Sequence, residues 1–354
     1  LSFHVLLQTT VSSQKKKKMS SPPELKRILI TGAAGLVGPL LASQLLSSSP
    51  TYHLILTDIQ PPIIPSGVDQ SRITSLQGDL TSPAFLSALL SKPLHAVCIL
   101  HGIMSAASEA NYALSLNINV HSILQLTDQL RLTNPGIRVV FSTSIAVFGH
   151  LPDPEAKITD GTPARPETTY GAHKLMMEVH LTEMHRKGFL DVIIARLPTI
   201  SVRPGKPTGA ASSWLSGIVR EPMNGEECVV PLVDRGFRSY LSSPGAVVEN
   251  LGRVLEWEKG MDLFGDGGGK RVVQFPGVSV SVQEMLDALE TYGGKEKVGL
   301  VKEVRDQELE RILRSWPRDF EVKRSLELGL VGDQGVDGIV GGYIERLTHA
   351  GLVN

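Results

Sequence analysis

The chain has 354 residues, of which 42% are hydrophobic and 20% are charged, values typical of a globular protein with a substantial core. Its formal net charge of −1 provides no overall field that would attract nucleic acid or an anionic membrane, so neither is expected as a partner. Two cysteines, Cys98 and Cys228, cannot build a disulfide framework, which favours a reducing, cytoplasmic location.

The first residues differ in character from the rest of the chain. Residues 1–7 are mostly apolar, four lysines follow at 15–18, and Met19 comes next. A secretory signal carries its positive charges before the apolar segment, and here the order is reversed. We therefore interpret residues 1–18 as a non-native or disordered leader that precedes a start at Met19, with an organelle-targeting extension as the alternative.

Short apolar runs alternate with amphipathic stretches up to residue 200. Strands that alternate with helices imply crossover connections and a parallel sheet. Runs that are apolar on both faces belong in a sheet covered by helices on each side. The pattern predicts an α/β fold with a doubly wound Rossmann sheet, to which six or seven strands before residue 200 contribute. The apolar runs lie at 27–31, 53–57, 73–77, 96–101, 138–142 and 191–197.

The pattern changes after residue 200. Prolines and glycines interrupt the segment 204–209, and 265–269 is predicted to be a flexible glycine-rich loop. We predict a nucleotide-binding domain at 19–200 and a smaller α/β substrate lobe at 201–354, with some segments returning to the first domain. The lobe is expected to cover the carboxyl edge of the sheet, where such sheets bind ligands. Its helices are predicted at 282–292, 306–314 and 336–349.

A glycine-rich turn, T-G-A-A-G-L-V-G at residues 31–38, joins the first predicted strand to a helix. Gly32 permits the tight turn, Gly35 lets the backbone approach a pyrophosphate, and Gly38 lets the helix pack on the strand. The phosphates would then accept hydrogen bonds from amides at the start of the helix. The turn residues predicted to bind the cofactor are Gly32, Gly35, Leu36, Val37 and Gly38.

Asp58 ends the second predicted strand. An acid at this position accepts hydrogen bonds from the adenosine ribose and repels a 2′-phosphate, which favours NAD over NADP. The alternative is that Asp58 only begins the next loop. Asp79 and Leu80 follow the third strand, where Asp79 would contact the adenine or cap the helix that begins near Ser82.

Tyr170 and Lys174 are four residues apart in a helical stretch, so their side chains share one face. A nearby ammonium stabilises a phenolate and lowers the pKa of the tyrosine from its ordinary value near 10. Ser144, at the end of a strand, would hold a substrate oxygen while Tyr170 takes its proton and a nicotinamide takes the hydride. The alternative is a surface tyrosine beside a solvated lysine.

The sequence lacks the motifs of metal-dependent enzymes, serine hydrolases and P-loop proteins. There is no His-Glu-x-x-His, and the histidines form no cluster with metal-ligand spacing, so no metal site is expected. The serine-hydrolase elbow Gly-x-Ser-x-Gly and the P-loop are also absent.

These motifs together resemble the extended short-chain dehydrogenase/reductase family, also called the epimerase/dehydratase family, from about residue 27 to the C-terminus. Residues 31–38 match its T-G-x-x-G-x-x-G pattern, and F-S-T-S-I-A-V-F-G at 141–149 resembles its active-serine segment. Tyr170 and Lys174 match its Y-x-x-x-K pattern. The resemblance implies Ser144, Tyr170 and Lys174 as catalytic residues, with Tyr170 and Lys174 also binding the cofactor.

The same resemblance implies further cofactor contacts and a possible oligomer. Asn119 is similar to the asparagine of the family's N-V pair, and Pro198 lies in an R-L-P segment whose backbone contacts the nicotinamide end. Relatives commonly form homodimers through a four-helix contact that would include the helix after Tyr170.

Departures from the family patterns narrow the expected chemistry. Sugar-nucleotide dehydratases carry an acidic pair where Ile145 and Ala146 stand, and many nucleotide-sugar epimerases have an asparagine where this chain has Pro198 and Thr199. Residues 196–223 look most similar to the D-erythronate dehydrogenase branch, whose members oxidise a four-carbon sugar acid at its 2-hydroxyl.

The expected substrate therefore carries a carboxylate. In the more distantly similar uronate dehydrogenases the arginine that binds it would fall near Gly209, so Arg203 and Arg220 are the candidates here. Ion pairs at the surface or between domains are the alternative for both arginines. Ser105 and Ser213 are candidate contacts to substrate hydroxyls, with loop capping as the alternative for Ser105.

The sequence thus predicts an NAD-dependent dehydrogenase of a small 2-hydroxy sugar acid, with D-erythronate as the leading candidate. A sugar or nucleotide-sugar epimerase or reductase of the same fold is the alternative. A catalytically idle NAD-sensing protein is a further one.

Overall fold

A computed structural model of the chain describes residues 25–153, 156–207, 211–265 and 267–349. The predicted leader at 1–18 and Gly209 lie outside these residues. The strands of the described part are β1 (Lys26–Thr31), β2 (Tyr52–Asp58), β3 (Ile73–Gln77), β4 (Ala96–Ile99), β5 (Arg138–Ser144), β6 (Asp191–Leu197), β7 (Thr199–Ile200), β8 (Cys228–Val230), β9 (Arg238–Ser242), β10 (Val272–Gln274), β11 (Val278–Ser281) and β12 (Val301–Glu303).

The first sheet has seven strands in the order β3-β2-β1-β4-β5-β6-β10, and every neighbouring pair is parallel. Strands β2 and β3 lie on one side of β1, and β4, β5 and β6 lie on the other. The direction in which the chain adds strands therefore reverses between β1 and β4. An open α/β sheet binds its ligands at this reversal, outside the carboxyl ends of the strands. The prediction of a doubly wound α/β fold is therefore confirmed.

Helices connect these strands and build the rest of the molecule. They are α1 (Val37–Ser48), α2 (Pro83–Leu89), α3 (Ser105–Ala110), α4 (Tyr112–Leu116), α5 (Ser122–Thr133), α6 (Thr169–Arg186), α7 (Trp214–Met223), α8 (Pro244–Glu256), α9 (Val282–Gly293), α10 (Lys295–Val298), α11 (Gln307–Arg314), α12 (Lys323–Glu327) and α13 (Gly335–His349).

Both faces of the first sheet are buried. In β1, Ile28 and Ile30 pack into the core formed with α1 and α8, whereas Leu29 packs into the core formed with α2, α5 and α6. Because both faces are covered, the strand reads as a continuous apolar run rather than an alternating one.

Two predicted strand ends differ from the observed ones. The strand expected at 96–101 ends at Ile99, where the chain leaves the sheet for a loop. The strand expected at 138–142 continues to Ser144, because β6 pairs with it as far as Leu197. The longer β5 carries Ser144 out to the carboxyl edge.

The C-terminal lobe contains a sheet of order β11-β9-β7 and a pair of parallel strands, β12-β8. Its core lies between α7, α9 and α13 and includes Ile218, Met285 and Ile339. Two elements after residue 200 return to the first domain: α8 packs on α1, and β10 extends the first sheet beside β6. Among the helices of the described ranges, none has the length and apolar character required to span a membrane.

Candidate active site

A cavity of about 350 Å³ lies between the carboxyl ends of β1, β4, β5 and β6 and the C-terminal lobe. It is where the strand order predicts a ligand. Of the residues singled out from the sequence, those that line it are Gly32, Gly35, Leu36, Val37, Ser105, Ser144, Tyr170, Lys174, Pro198 and Arg203.

The position of α6 brings Tyr170 and Lys174 to this cavity. Thr168 caps the helix, since its hydroxyl accepts a hydrogen bond from the Gly171 amide at 3.1 Å. A Cβ on Gly171 would lie 2.1 Å from the carbonyl oxygen of Ala146, so only glycine lets the helix pack this closely on the turn after β5. The first turn of α6 is thereby fixed against the segment that carries Ser144.

Ser144, Tyr170 and Lys174 form one connected group. Ser144 and Tyr170 line the same cavity, and the interaction with the Ser144 side chain acts to lower the pKa of Tyr170. Lys174 Nζ donates to the carbonyl oxygen of Ser142 at 2.8 Å and lies 5.7 Å from the centroid of the Tyr170 ring. The arrangement is a hydroxyl pair with an ammonium beside it, open to a cavity.

Burial dominates the acidity of both titratable groups. It raises the pKa of Tyr170 to about 12, against the smaller opposing effect of the hydrogen bond with Ser144. It lowers the pKa of Lys174 to about 8, against the attraction of Glu178. The lowered tyrosine pKa that the sequence led us to expect is therefore not found in the protein alone, because desolvation of the phenolate by burial is the larger effect.

The glycine turn fits a dinucleotide. Gly32 has a φ of +73°, and a Cβ on it would lie 2.7 Å from the backbone nitrogen of His101. A Cβ on Gly38 would lie 2.7 Å from the Cα of Ala33, so this glycine lets α1 approach the turn. A Cβ on Gly35 would meet only the carbonyl of Gly32, at 3.3 Å, so its other side is open toward a ligand.

The start of α1 and Asp58 complete the nucleotide side. No side chain caps α1, and its first turn contains no acidic residue, so its free amides suit a pyrophosphate. The Asp58 carboxylate accepts hydrogen bonds from the amides of Ala34 (3.0 Å) and Gln60 (3.1 Å). These bonds hold the carboxylate beside the glycine turn, where an adenosine ribose would lie.

Asp79 and Leu80 do not line the cavity. Asp79 Oδ1 accepts from the amide and the hydroxyl of Thr81, both at 2.8 Å, and Ser82 is the residue that caps α2. Leu80 is buried in the core. The local geometry gives Asp79 a role in the turn before α2.

Asn119 is fully buried and supports the cavity wall from behind. Its Oδ1 accepts from the Ile103 amide (2.8 Å), and its Nδ2 donates to the Ile103 carbonyl (3.0 Å). The amide thus fixes the loop after β4, which includes the cavity residue Gly102. These bonds give Asn119 a role in shaping the cavity wall, and its direct contact with the cofactor stays a prediction.

His101, in the same loop, was not singled out as a site residue. Its Nδ1 is hydrogen-bonded to the Thr31 hydroxyl (2.8 Å) and its Nε2 to the Ser122 hydroxyl (2.8 Å). Burial, with the charge of Lys174 as a second cause, lowers the pKa of His101 to about 3. The imidazole is therefore neutral and joins the glycine turn to α5.

Arg203 brings a positive charge to the lobe side of the cavity. Its Nη2 donates to the Ser212 hydroxyl at 3.0 Å, and in the described part of the chain the guanidinium has no carboxylate partner. Burial, and then the charge of Arg220, lowers the pKa of Arg203. A half-buried cation of this kind is suited to binding an anionic group.

Arg220 and Ser213 lie away from this cavity. Arg220 is buried, pairs with Glu221 at 2.6 Å, and donates to the carbonyl of Arg203 at 2.9 Å. Its ion pair is buried within the lobe, whereas the alternative noted from the sequence was a pair at the surface or between domains. Ser213 precedes α7 and faces a different surface depression, beside Trp214.

The cavity residues that sequence reasoning missed include Thr143, Ser212 and Trp316. Thr143 Oγ1 is buried and has no hydrogen-bond partner among the described residues. Its neighbour Ser144 could have drawn attention to it. Trp316 comes from the turn after α11, and no local pattern connects it with residues more than a hundred positions earlier. The described residues contain no group of three or more histidine, cysteine or acidic side chains able to hold a metal ion.

Comparisons with known proteins agree with this geometry. The sequence pattern of the NAD dependent epimerase/dehydratase family matches residues 28–239. D-erythronate dehydrogenase from Haemophilus influenzae is 34% identical over 322 residues, which cover 90% of this chain and 99% of that protein. The enzyme of the same name from Cupriavidus necator is 34% identical over 328 residues, covering 90% and 98%.

Solved structures show the same fold over nearly the whole chain. A protein described as the nucleoside-diphosphate-sugar epimerase from Agrobacterium tumefaciens has a TM-score of 0.86 at 32% identity, covering 95% of this chain and 99% of that one. L-threonine 3-dehydrogenase from Trypanosoma brucei has a TM-score of 0.79 at 22% identity, covering 94% and 100%, a likeness of fold alone.

These findings confirm the resemblance to extended short-chain dehydrogenases/reductases and the expectation of an NAD-dependent oxidoreductase. The glycine turn, the uncapped start of α1 and the position of Asp58 fit the cofactor. The chain belongs to the NAD-dependent epimerase/dehydratase family.

Proposed function

We propose that the protein is an NAD-dependent dehydrogenase that oxidises the 2-hydroxyl of a small sugar acid, with D-erythronate as the leading substrate. The observation that carries this proposal is the composition of one cavity. It combines Ser144 with the buried Tyr170 and Lys174, and it also contains the guanidinium of Arg203, which has no carboxylate partner among the described residues.

In the proposed reaction Ser144 and Tyr170 hold the substrate hydroxyl. Ser144 Oγ already accepts from the Ala146 amide at 3.1 Å, which fixes the hydroxyl toward the cavity. Tyr170 accepts the hydroxyl proton as the carbon–oxygen bond becomes a carbonyl. Bound NAD would accept the hydride that leaves the same carbon.

Lys174 has two roles in this proposal. Its ammonium stabilises the tyrosinate that must form, and it binds the ribose next to the nicotinamide. The pKa of Tyr170, raised to about 12 by burial, makes the phenol a poor base in the protein alone. The positive charge of an oxidised nicotinamide, added to that of Lys174, acts in the opposite direction and favours the phenolate.

Arg203 is the proposed partner of the substrate carboxylate. A guanidinium donates two parallel hydrogen bonds to a carboxylate, which orients the acid as well as holding it. Ser105, at the opposite wall, and Thr143, with its free hydroxyl, are suited to the remaining substrate hydroxyls. Trp316 limits the length of the acid from the lobe side.

The proposal is tested by NADH absorbance with NAD and a panel of C4 to C6 sugar acids, free sugars and polyols. We expect turnover with D-erythronate or a similar 2-hydroxy acid, and none with the analogue that lacks the C2 hydroxyl. Erythritol, which has no carboxylate, should be a poor substrate. A protein that binds NAD but forms no NADH with any member of the panel would contradict the proposed reaction.

An epimerase of the same fold is the second candidate, favoured by the likeness to the Agrobacterium tumefaciens protein. An epimerase regenerates NAD in each cycle, so it interconverts two sugars without net absorbance change. The sequence disfavours it, because Pro198 and Thr199 stand where many nucleotide-sugar epimerases have an asparagine. Product analysis by NMR of UDP-sugars incubated with enzyme and NAD separates the two reactions.

A further inference from the structure

A buried ion pair lies directly behind the catalytic group. Glu178 on α6 accepts hydrogen bonds from Arg196 on β6, from Nε at 3.0 Å and from Nη2 at 2.6 Å. The Glu178 side chain is only 3% exposed and that of Arg196 17% exposed. Neither residue lines the cavity, so the proposed reaction does not use them directly.

We propose that Glu178 is a positioning residue that keeps the Lys174 side chain protonated in its buried site, and that Arg196 limits this effect by neutralising Glu178. The inference rests on the proposed role of Lys174 and goes beyond it. It assigns a function in the reaction to two residues whose side chains do not line the cavity.

The spacing along α6 brings Glu178 close to Lys174. The two residues are four apart, on neighbouring turns of one helix face. Lys174 is 3% exposed, and its Nζ lies 4.7 Å from the centroid of Phe141 on β5. An ammonium among apolar groups is costly, so a nearby carboxylate matters more here than it would in water.

Arg196 is held firmly enough to act as a fixed charge. It pairs in register with Thr143 of β5, and its guanidinium lies 4.8 Å from the centroid of the Phe148 ring. Its carbonyl accepts from the Phe275 amide at 2.9 Å. Arg196 on β6 thus pairs with Glu178, which lies four residues after Lys174 on α6.

The groups around Lys174 leave Glu178 as the source of favourable charge. Tyr170 on the same helix is neutral, because burial raises its pKa to about 12. His101 in the loop after β4 is neutral, because burial lowers its pKa to about 3. Burial also lowers the pKa of Lys174 to about 8, and the charge that opposes this effect comes from Glu178.

The two single substitutions should act in opposite directions. Glu178→Gln removes the carboxylate and leaves Arg196 as an unpaired cation, so deprotonation of Lys174 should occur at lower pH. Arg196→Met leaves Glu178 without its partner, so Lys174 should keep its proton to higher pH. A merely structural ion pair would give both variants the same defect.

Two measurements report the protonation state of Lys174. The first is the rate at which acetic anhydride acetylates the Lys174 peptide across pH, measured by mass spectrometry without substrate. The second is the pH profile of kcat. For a shift of about one pH unit, Glu178→Gln should lose activity about tenfold at pH 9 and less than about twofold at pH 6.5, relative to the unsubstituted protein.

Two further variants complete the design. The double variant Glu178→Gln/Arg196→Met leaves no unpaired buried charge, so it remains testable if a single variant does not fold. Its Lys174 profile should lie between those of the single variants. Glu183→Gln on the same helix removes an exposed pair with Arg186 and should leave the profile unchanged.

The outcomes separate this inference from the proposed function. Absence of NADH formation by the unsubstituted enzyme would defeat the dehydrogenase proposal, while the acetylation profile would still report on Lys174. Identical acetylation profiles in all folded variants would overturn the role of Glu178, even if the enzyme oxidises sugar acids.

Discussion

Arginine side chains lie at both edges of the first sheet, but their bonding partners differ. At the amino edge Arg138 and Arg271 share the carboxylate of Asp191, with nitrogen–oxygen distances of 2.6 and 3.2 Å. Their remaining donors bind backbone carbonyls, including those of Val254 and Met261, each at 2.7 Å. At the carboxyl edge the partners of Arg203 among the described residues are the hydroxyl and the carbonyl of Ser212.

This difference distinguishes the arginines that stabilise the fold from the arginine that is available to bind a ligand. The amino-edge arginines attach the segment after α8 to the sheet, and their hydrogen-bonding capacity is consumed in doing so. A cleft of about 410 Å³ lies beside Arg138, whose donors are already bonded to Asp191 and to backbone carbonyls. In the part of the chain that the structure describes, the carboxyl-edge cavity instead contains the Thr143 hydroxyl without a hydrogen-bond partner and Arg203 without a carboxylate partner.

The largest effect that this comparison predicts is at the carboxyl edge. Tyr170→Phe removes the proton acceptor and keeps the ring, so kcat should fall by about 10³-fold or more while NAD affinity changes little. Steady-state NADH formation and NAD titration by fluorescence measure the two quantities. The melting temperature should stay close to that of the unsubstituted protein. Near-normal turnover would remove Tyr170 from the reaction.

The next effect should be confined to stability. Asp191→Ala leaves Arg138 and Arg271 buried without their carboxylate, which should cost about 3–5 kcal/mol of unfolding free energy. Urea denaturation measures the loss, and the folded fraction should retain its KM for NAD. The control is Asp128→Ala, which breaks an exposed pair with Arg131 and should cost less than about 1 kcal/mol. Equal losses in the two variants would end the distinction between the edges.

The third prediction tests whether Arg203 binds the substrate carboxylate. Arg203→Met should raise the KM for a sugar acid about 10- to 100-fold, because a charge-assisted pair with the carboxylate is lost. The KM for NAD should not change. Arg220→Met tests the alternative candidate: its ion pair with Glu221 lies within the lobe, so its damage should appear in stability first. A larger KM effect at Arg220 than at Arg203 would contradict the assignment.

The sequence predicted residues whose function depends on local spacing. Gly32 and Gly38 follow from one turn, and Tyr170 and Lys174 from one helix face, so the short-range pattern contained the geometry. Arg203 and Arg220 could not be separated in this way. Their difference depends on which acidic side chain lies beside each guanidinium, and neither a pattern nor a resemblance contains that information.

Long-range placement also decides the surroundings of residues that the sequence pattern located. The side-chain amide of Asn119, for example, bonds to the backbone of Ile103 in the loop after β4, a partner that the pattern did not indicate. The pKa of Tyr170 depends on desolvation by the whole cavity, which the neighbouring lysine alone did not reveal.

The smallest predicted effect concerns Trp316, which limits the cavity from the lobe side. Trp316→Ala should enlarge the substrate end and improve kcat/KM for C5 and C6 acids relative to the C4 acid by about 3- to 10-fold, the range that one apolar contact commands. Trp316→Phe keeps a ring and should change the ratio less. The ratio compares two substrates on the same protein sample. A smaller fraction of active enzyme lowers both kcat/KM values equally and leaves their ratio unchanged. An unchanged ratio in Trp316→Ala would mean that the carboxyl edge alone, through Arg203 and the residues around Ser144, sets the length of the acid.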